Sequence, residues 1–195
     1  MSLLDVKKNV DSRAAALLEY HLSLLGTDFG SFDSGTMAYV REDAKTGSAV
    51  SICYGEKNKF MSKTYDLIFK IRIPEVNLGD SFKARLKFRG MKQIDAGFFE
   101  IKPDHEVAHA LLNDTELMDE IVTCSRQADI AVMTVVYSEG AEALTVQITP
   151  YAGAFMWVKL PPVYYPLKLK PEEMKALYAL TGDVEKYLIR RIEAM

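Results

Sequence analysis

The chain has 195 residues, 49 % of them apolar and 26 % charged, with a net charge of −3. That suits one domain with a sizeable core, or two small ones. No run of eighteen apolar residues and no apolar stretch behind the first residues occur, so neither a membrane span nor a signal peptide is expected. The expected compartment is the cytoplasm, which fits two widely spaced cysteines, Cys53 and Cys124, without a C-x-x-C motif.

Residues 3–25 read as a helix. Ala14, Leu17, Leu18, His21 and Leu25 share one face, and Gly26 supplies the stop. His21 is read as a half-buried, hydrogen-bonded histidine. Residues 26–35 carry three glycines in neither dinucleotide nor P-loop spacing, so a loop without a nucleotide site is expected.

A run of strands follows. Residues 36–41 and 49–54 flank a turn at 42–47. Residues 65–73 alternate, with Tyr65, Leu67, Phe69, Ile71 and Ile73 facing one way. Residues 82–89 alternate as cleanly, with Phe82, Ala84, Leu86 and Phe88 toward the core. A short strand at 98–101 ends at Lys102-Pro103.

Two short helices are expected near 104–113 and 115–127, capped by Asp104 and Asp114. Strands at 129–137 and 143–149 form a hairpin. The first is nearly all apolar, so burial on both faces is expected. A further strand covers 155–160. Pro161-Pro162-Val163-Tyr164 matches the Pro-Pro-x-Tyr string of WW-domain ligands, which is read only when exposed. The bland reading is an extended surface connection. Pro171 opens the last helical region, with a kink or break expected at Thr181-Gly182-Asp183.

One pentapeptide carries chemistry, His105-Glu106-Val107-Ala108-His109. It resembles the H-E-x-x-H signature of the zincin family, over these five residues and no more. On a helix, positions i and i+4 share a face. The resemblance implies zinc held by His105 and His109, with Glu106 as general base on the metal-bound water. A third ligand would come from Glu120 or Glu116. Pro103 places the motif in a first helical turn, where the macrodipole disfavours a cation. The competing reading is a short amphipathic helix, with Val107, Ala108, Leu111 and Leu112 as its buried stripe.

Charge is distributed unevenly. Residues 57–92 hold ten Lys/Arg and three Asp/Glu, a net of +7 that leaves −10 elsewhere. Lys70 and Arg72 lie opposite the core side of one strand. Lys83, Arg85, Lys87 and Arg89 lie opposite that of the next. If the two strands pair, six cations share one sheet face, a candidate site for an acidic protein, nucleic acid or lipid head groups. The competing reading is an ordinary solvated face, or one covered by acidic helices. Nucleophile-elbow, kinase and EF-hand motifs are absent.

The expected fold is α+β: a mainly antiparallel sheet of about seven or eight strands, covered on one side by the N-terminal helix, a central helix pair and C-terminal helices. One domain over 1–195 is expected, with a seam near residue 102 as the alternative. The leading functional expectation is a non-enzymatic binding module using the basic face, with a homo-oligomer open. The alternative is a zinc hydrolase, and zinc is a cofactor only there.

Overall fold

The computed structural model describes residues 3–26, 31–33, 38–89 and 96–195. Its elements are α1 (Leu3–Ser23), β1 (Ser31–Asp33), β2 (Ala38–Glu42), β3 (Ala49–Asn58), β4 (Ser62–Ile73), β5 (Phe82–Arg89) and β6 (Ala96–Lys102). Then come α2 (Glu106–Leu112), α3 (Thr115–Gln127), β7 (Ile130–Ser138), β8 (Ala143–Pro150), β9 (Phe155–Val158), β10 (Val163–Pro166) and α4 (Pro171–Glu193).

The fold is α+β, around one antiparallel sheet. Eight strands lie in the order β1-β2-β3-β4-β8-β7-β5-β6. The β9–β10 hairpin joins them through β4. β4 has twelve residues, enough for two partners along one edge: β9 beside Ser62–Tyr65 and β8 beside Phe69–Ile73. Strands from both sides of residue 102 alternate in this sheet.

Period-two patterning decides which face is buried. In β4, Tyr65, Leu67, Phe69, Ile71 and Ile73 are buried, as are Phe82, Ala84 and Leu86 in β5. All four helices pack on that one face. Arg41, an inward residue of β2, binds Glu185 of α4 at 2.8 Å. Lys63 of β4 binds Asp11 of α1 at 2.8 Å. Asn113, between α2 and α3, binds the backbone of Phe99 in β6.

Several expectations change. Residues 27–30 and 34–35 of the glycine-rich segment, and the first two residues of the strand expected over 36–41, lie outside the described residues, but Ser31–Asp33 forms a short strand rather than loop. Gly26 closes α1 with φ +66°, the left-handed conformation that glycine adopts without strain. β7 is central in strand order yet not buried on both faces, because Val136 is 38 % exposed. The helix layer covers only one side, so its apolar character is not a sign of two-sided burial.

α4 is also unbroken through Thr181-Gly182-Asp183. Glycine in a helix costs only ~1 kcal/mol. Burial of Leu177, Leu180, Val184 and Leu188 outweighs it, and the Thr181 hydroxyl donates to Leu177 O at 2.7 Å. Pro161-Pro162 stays exposed, but Val163 and Tyr164 are fixed in β10 against Val158 and Trp157. A proline-tolerant edge strand accounts for that segment.

Candidate functional site

The H-E-x-x-H geometry differs from its expectation at the first residue. His105, not Asp104, is the N-cap of α2, with extended backbone (φ −150°, ψ 109°). Its Nδ1 accepts the Ala108 N–H at 3.2 Å, and its ring packs on Phe82 with centroids 5.0 Å apart. His105 is therefore the half-in residue of the helix: its carbonyl accepts the His109 N–H at 3.0 Å, while its ring nitrogen is taken up by the Ala108 N–H.

His109 is engaged at both ring nitrogens. Asn113 Oδ1 accepts from Phe99 N, which fixes the amide orientation, so Asn113 Nδ2 donates to His109 Nδ1 at 3.2 Å. His109 Nε2 then carries the hydrogen and donates to Asp104 Oδ1 at 2.8 Å. Asp104 thus orients His109 instead of capping α2. The third-ligand candidates face α4. Glu116 binds Arg190 at 2.6 Å. Glu120 lines a groove of about 260 Å³ with Asp183 and Lys186. Among the described residues, no three His, Cys, Asp or Glu side chains converge as a metal site would require. Glu106 is exposed in the first turn of α2.

The cations are arranged differently. β4 and β5 are not neighbours, because β8 and β7 stand between them. Cross-strand register nonetheless places their cations on one face. One level reads Ser51, Lys70, Gln147, Thr134, Arg85, Glu100 across β3, β4, β8, β7, β5 and β6. The next outward level reads Ala49, Arg72, Thr145, Val136, Lys83, Lys102. Direct partners point to the same side, so these twelve residues line one surface. The level between them, from Val50 through Ile71, Val146, Val135 and Ala84 to Ile101, is buried on the other side.

The helices leave this surface open. Arg72, Lys83, Arg85, Gln147 and Lys102 are exposed. The acidic helix ends that were candidates to cover it are on the far side, where Asp114 and Glu116 pair with Arg191 and Arg190. The surface is a tray with two basic walls. Three inter-strand steps put Lys70 and Arg72 ~14 Å from Arg85 and Lys83. Thr134, Thr145 and Gln147 supply hydrogen-bonding groups between them.

Part of the charge is neutralised internally. Glu100 binds Lys102 at 2.8 Å and Lys87 at 3.7 Å, and Lys102 beside it holds its carboxyl below the usual range. Arg89 stacks over Phe98 at 4.7 Å. Asp66 binds Lys57. Lys70, Arg72, Lys83 and Arg85 make no ion pair among the described residues. Cys53 sits on the same face, partly exposed, and burial pushes its thiol up despite Lys70 nearby. It is not an activated nucleophile.

Sequence reasoning did not reach two buried polar clusters. Ser48 donates to Glu185 Oε1 at 2.7 Å, beside the Arg41–Glu185 pair. Lys63, 4 % exposed, holds Asp11 at 2.8 Å and Glu56 at 2.9 Å, and the Tyr65 hydroxyl donates to the same Asp11 oxygen. Each ties a helix to the sheet. The lone signal for the second was a lysine at an inward position of an alternating strand.

No helix among the described residues is long and apolar enough to cross a membrane. Residues 27–188 match the sequence model of DUF3156, a family described as a protein of unknown function, and the chain belongs to that family. Neither the curated proteins nor the solved structures contain a significant match.

Proposed function

We propose that this DUF3156 chain is a non-enzymatic binding module whose open sheet face takes an anionic partner. The observation that carries the reading is the set of four cations, Lys70, Arg72, Lys83 and Arg85, on one face without ion-pair partners among the described residues, the last three exposed and Lys70 half-buried. Like charges on one face destabilise a fold by self-repulsion. A polyanion removes that cost on binding. The two-walled tray, with Thr and Gln between, suits a partner that presents anionic groups on both sides of its contact. Among the described residues of this face, Phe98 supplies the one aromatic ring beside the cations, and it is occupied by Arg89, which disfavours single-strand base stacking.

Binding to duplex DNA, to an acidic protein and to phosphatidylserine vesicles, each measured across a salt series, tests this reading. A partner of this face loses affinity steeply as salt rises. Charge reversal at Lys83, Arg85 and Lys87 is expected to abolish the binding. Full affinity in that triple variant would remove the sheet face from consideration.

A further inference from the structure

We infer that two adjacent hairpin tips, at the Ser62 end of β4, form a docking surface for an anionic lipid bilayer. The β3–β4 turn is closed by Lys59 N donating to Ser62 O at 2.8 Å and Ser62 N donating to Lys59 O at 3.3 Å. Phe60 and Met61 are therefore the central pair of a two-residue hairpin. Backbone geometry favours Asn and Gly there, and nothing in the turn calls for large apolar side chains. Phe60 is nevertheless 89 % exposed and Met61 40 %.

The β9–β10 tip lies against it. Ser62 pairs with Val158, and Lys159 N donates to Met61 O at 2.9 Å. Leu160 at that tip is 72 % exposed, followed by exposed Pro161 and Pro162. Two turns distant in sequence thus contribute to one apolar crown, and contiguous exposed apolar surface marks an interaction site.

Charge identifies the occupant. The stretches 57–65 and 155–166, which build the tips, contain no Asp or Glu, and the nearby carboxylates of Asp11 and Glu56 are taken up by Lys63. Lys59 and Lys159 flank the crown and make no ion pair among the described residues. A second copy meeting the crown tip to tip would set these lysines against each other. A bilayer takes both parts: the apolar side chains enter the acyl boundary, and the lysines meet anionic head groups. Trp157, the chain's one tryptophan, lies on β9 just behind Leu160 and reports on insertion. The residues differ from those of the sheet face, so the two readings stand or fall separately.

The test uses the whole chain with vesicles of phosphatidylcholine alone and with phosphatidylserine, read by co-sedimentation and by quenching of Trp157 with brominated lipid. Binding that requires phosphatidylserine, with Trp157 quenched, is expected. Phe60→Ser with Leu160→Ser is expected to weaken it by roughly tenfold or more, the transfer value of large apolar side chains. Lys59→Glu with Lys159→Glu is expected to remove the preference for phosphatidylserine. Circular dichroism confirms that the variants fold, and quenching in the unsubstituted chain needs no variant. Absence of binding overturns the inference. So does binding that survives the tip substitutions but is lost on charge reversal at Lys83 and Arg85, which assigns the vesicle to the sheet face. Self-association abolished by the tip substitutions overturns it in favour of a second copy.

Discussion

Asn113 pairs its side-chain amide with both backbone polar groups of Phe99. Oδ1 accepts from Phe99 N at 2.6 Å and Nδ2 donates to Phe99 O at 3.2 Å. The amide imitates a neighbouring strand at β6, which ends the sheet. An open edge is a template for another chain, and one side chain blocks this one at its middle.

Asn113→Ala is expected to act twice. It leaves a buried residue's N–H and C=O without partners, at a cost of about 1–3 kcal/mol. It also frees the β6 edge for pairing between molecules. A lower urea midpoint, with concentration-dependent association in sedimentation velocity, is the expected pair of results. A destabilised but strictly monomeric variant would limit the amide to a local role.

His109 belongs to this device. It receives Asn113 Nδ2 and donates to Asp104, so it holds the amide in the orientation that Phe99 needs. His109→Ala is expected to lower stability by about 0.5–1.5 kcal/mol, the scale of one net hydrogen bond. Zinc content, measured by mass spectrometry on untagged chain purified without chelator, is expected to be the same in both forms. About one zinc per chain, lost in the variant, would restore the hydrolase reading with His105, Glu106 and His109.

His21 makes stability depend on pH. Its Nε2 accepts the Leu169 N–H at 3.2 Å, and its Nδ1 has no partner among the described residues. Burial, and then the charge of Lys168, lower its pKa from 6.5 to about 4. The unfolded chain binds a proton in that interval that the folded chain refuses. This contribution is therefore present above pH 6.5 and lost as pH falls toward 4. It amounts to about 3 kcal/mol at full effect. Urea midpoints are expected to fall from neutral pH to about pH 4.5, and less so in His21→Gln. An equal fall in both would show that another group titrates.

Lys63 is the buried cation between α1 and the sheet. Burial alone would lower its pKa, but hydrogen bonds with Asp11, Tyr65 and Glu56 outweigh it and raise the value. Lys63→Ala is expected to cost about 2 kcal/mol, less than a fully buried pair because both carboxylates are about a third exposed. Lys63→Met keeps the apolar stem and is expected to lose less. Equal losses would place the stabilisation in the ammonium's bonds to Asp11 and Glu56, with none from packing of the stem.

Local patterning made much of the fold legible. The alternation of Tyr65 to Ile73 and of Phe82 to Phe88 places each strand's inner face, and Asp114 does cap α3, accepting Glu116 N at 2.9 Å. Strand order was not legible, because insertion of β7 and β8 between β4 and β5 depends on pairings far apart in sequence. The six cations were visible as a face only on the assumption that their strands were neighbours. Register instead joins four of them, Lys70, Arg72, Lys83 and Arg85, at a distance. The role of His109 was hidden for a related reason. Asp104 and Asn113 are close to it in sequence, but Phe99 enters only through the third dimension. Phe60 and Leu160 gave no signal, since an apolar residue in a turn reads as noise until the second tip is found beside it.

The insertion of β7 and β8 has a consequence for how the chain is made. The segment from Pro74 to Ser81 arches from β4 to β5 over the tip of the β7–β8 hairpin. It is sealed there by Val76 N to Glu142 O at 2.9 Å and Tyr137 Oη to Val76 O at 3.1 Å. During synthesis β4 and β5 emerge first, with a two-strand gap between them. Each then presents an unpaired edge until residues 130–150 leave the ribosome, and the sheet closes by late entry of a hairpin into a waiting slot. Premature termination within this interval leaves two sticky half-sheets, so the chain's exposure to aggregation is set by the order in which its strands are born.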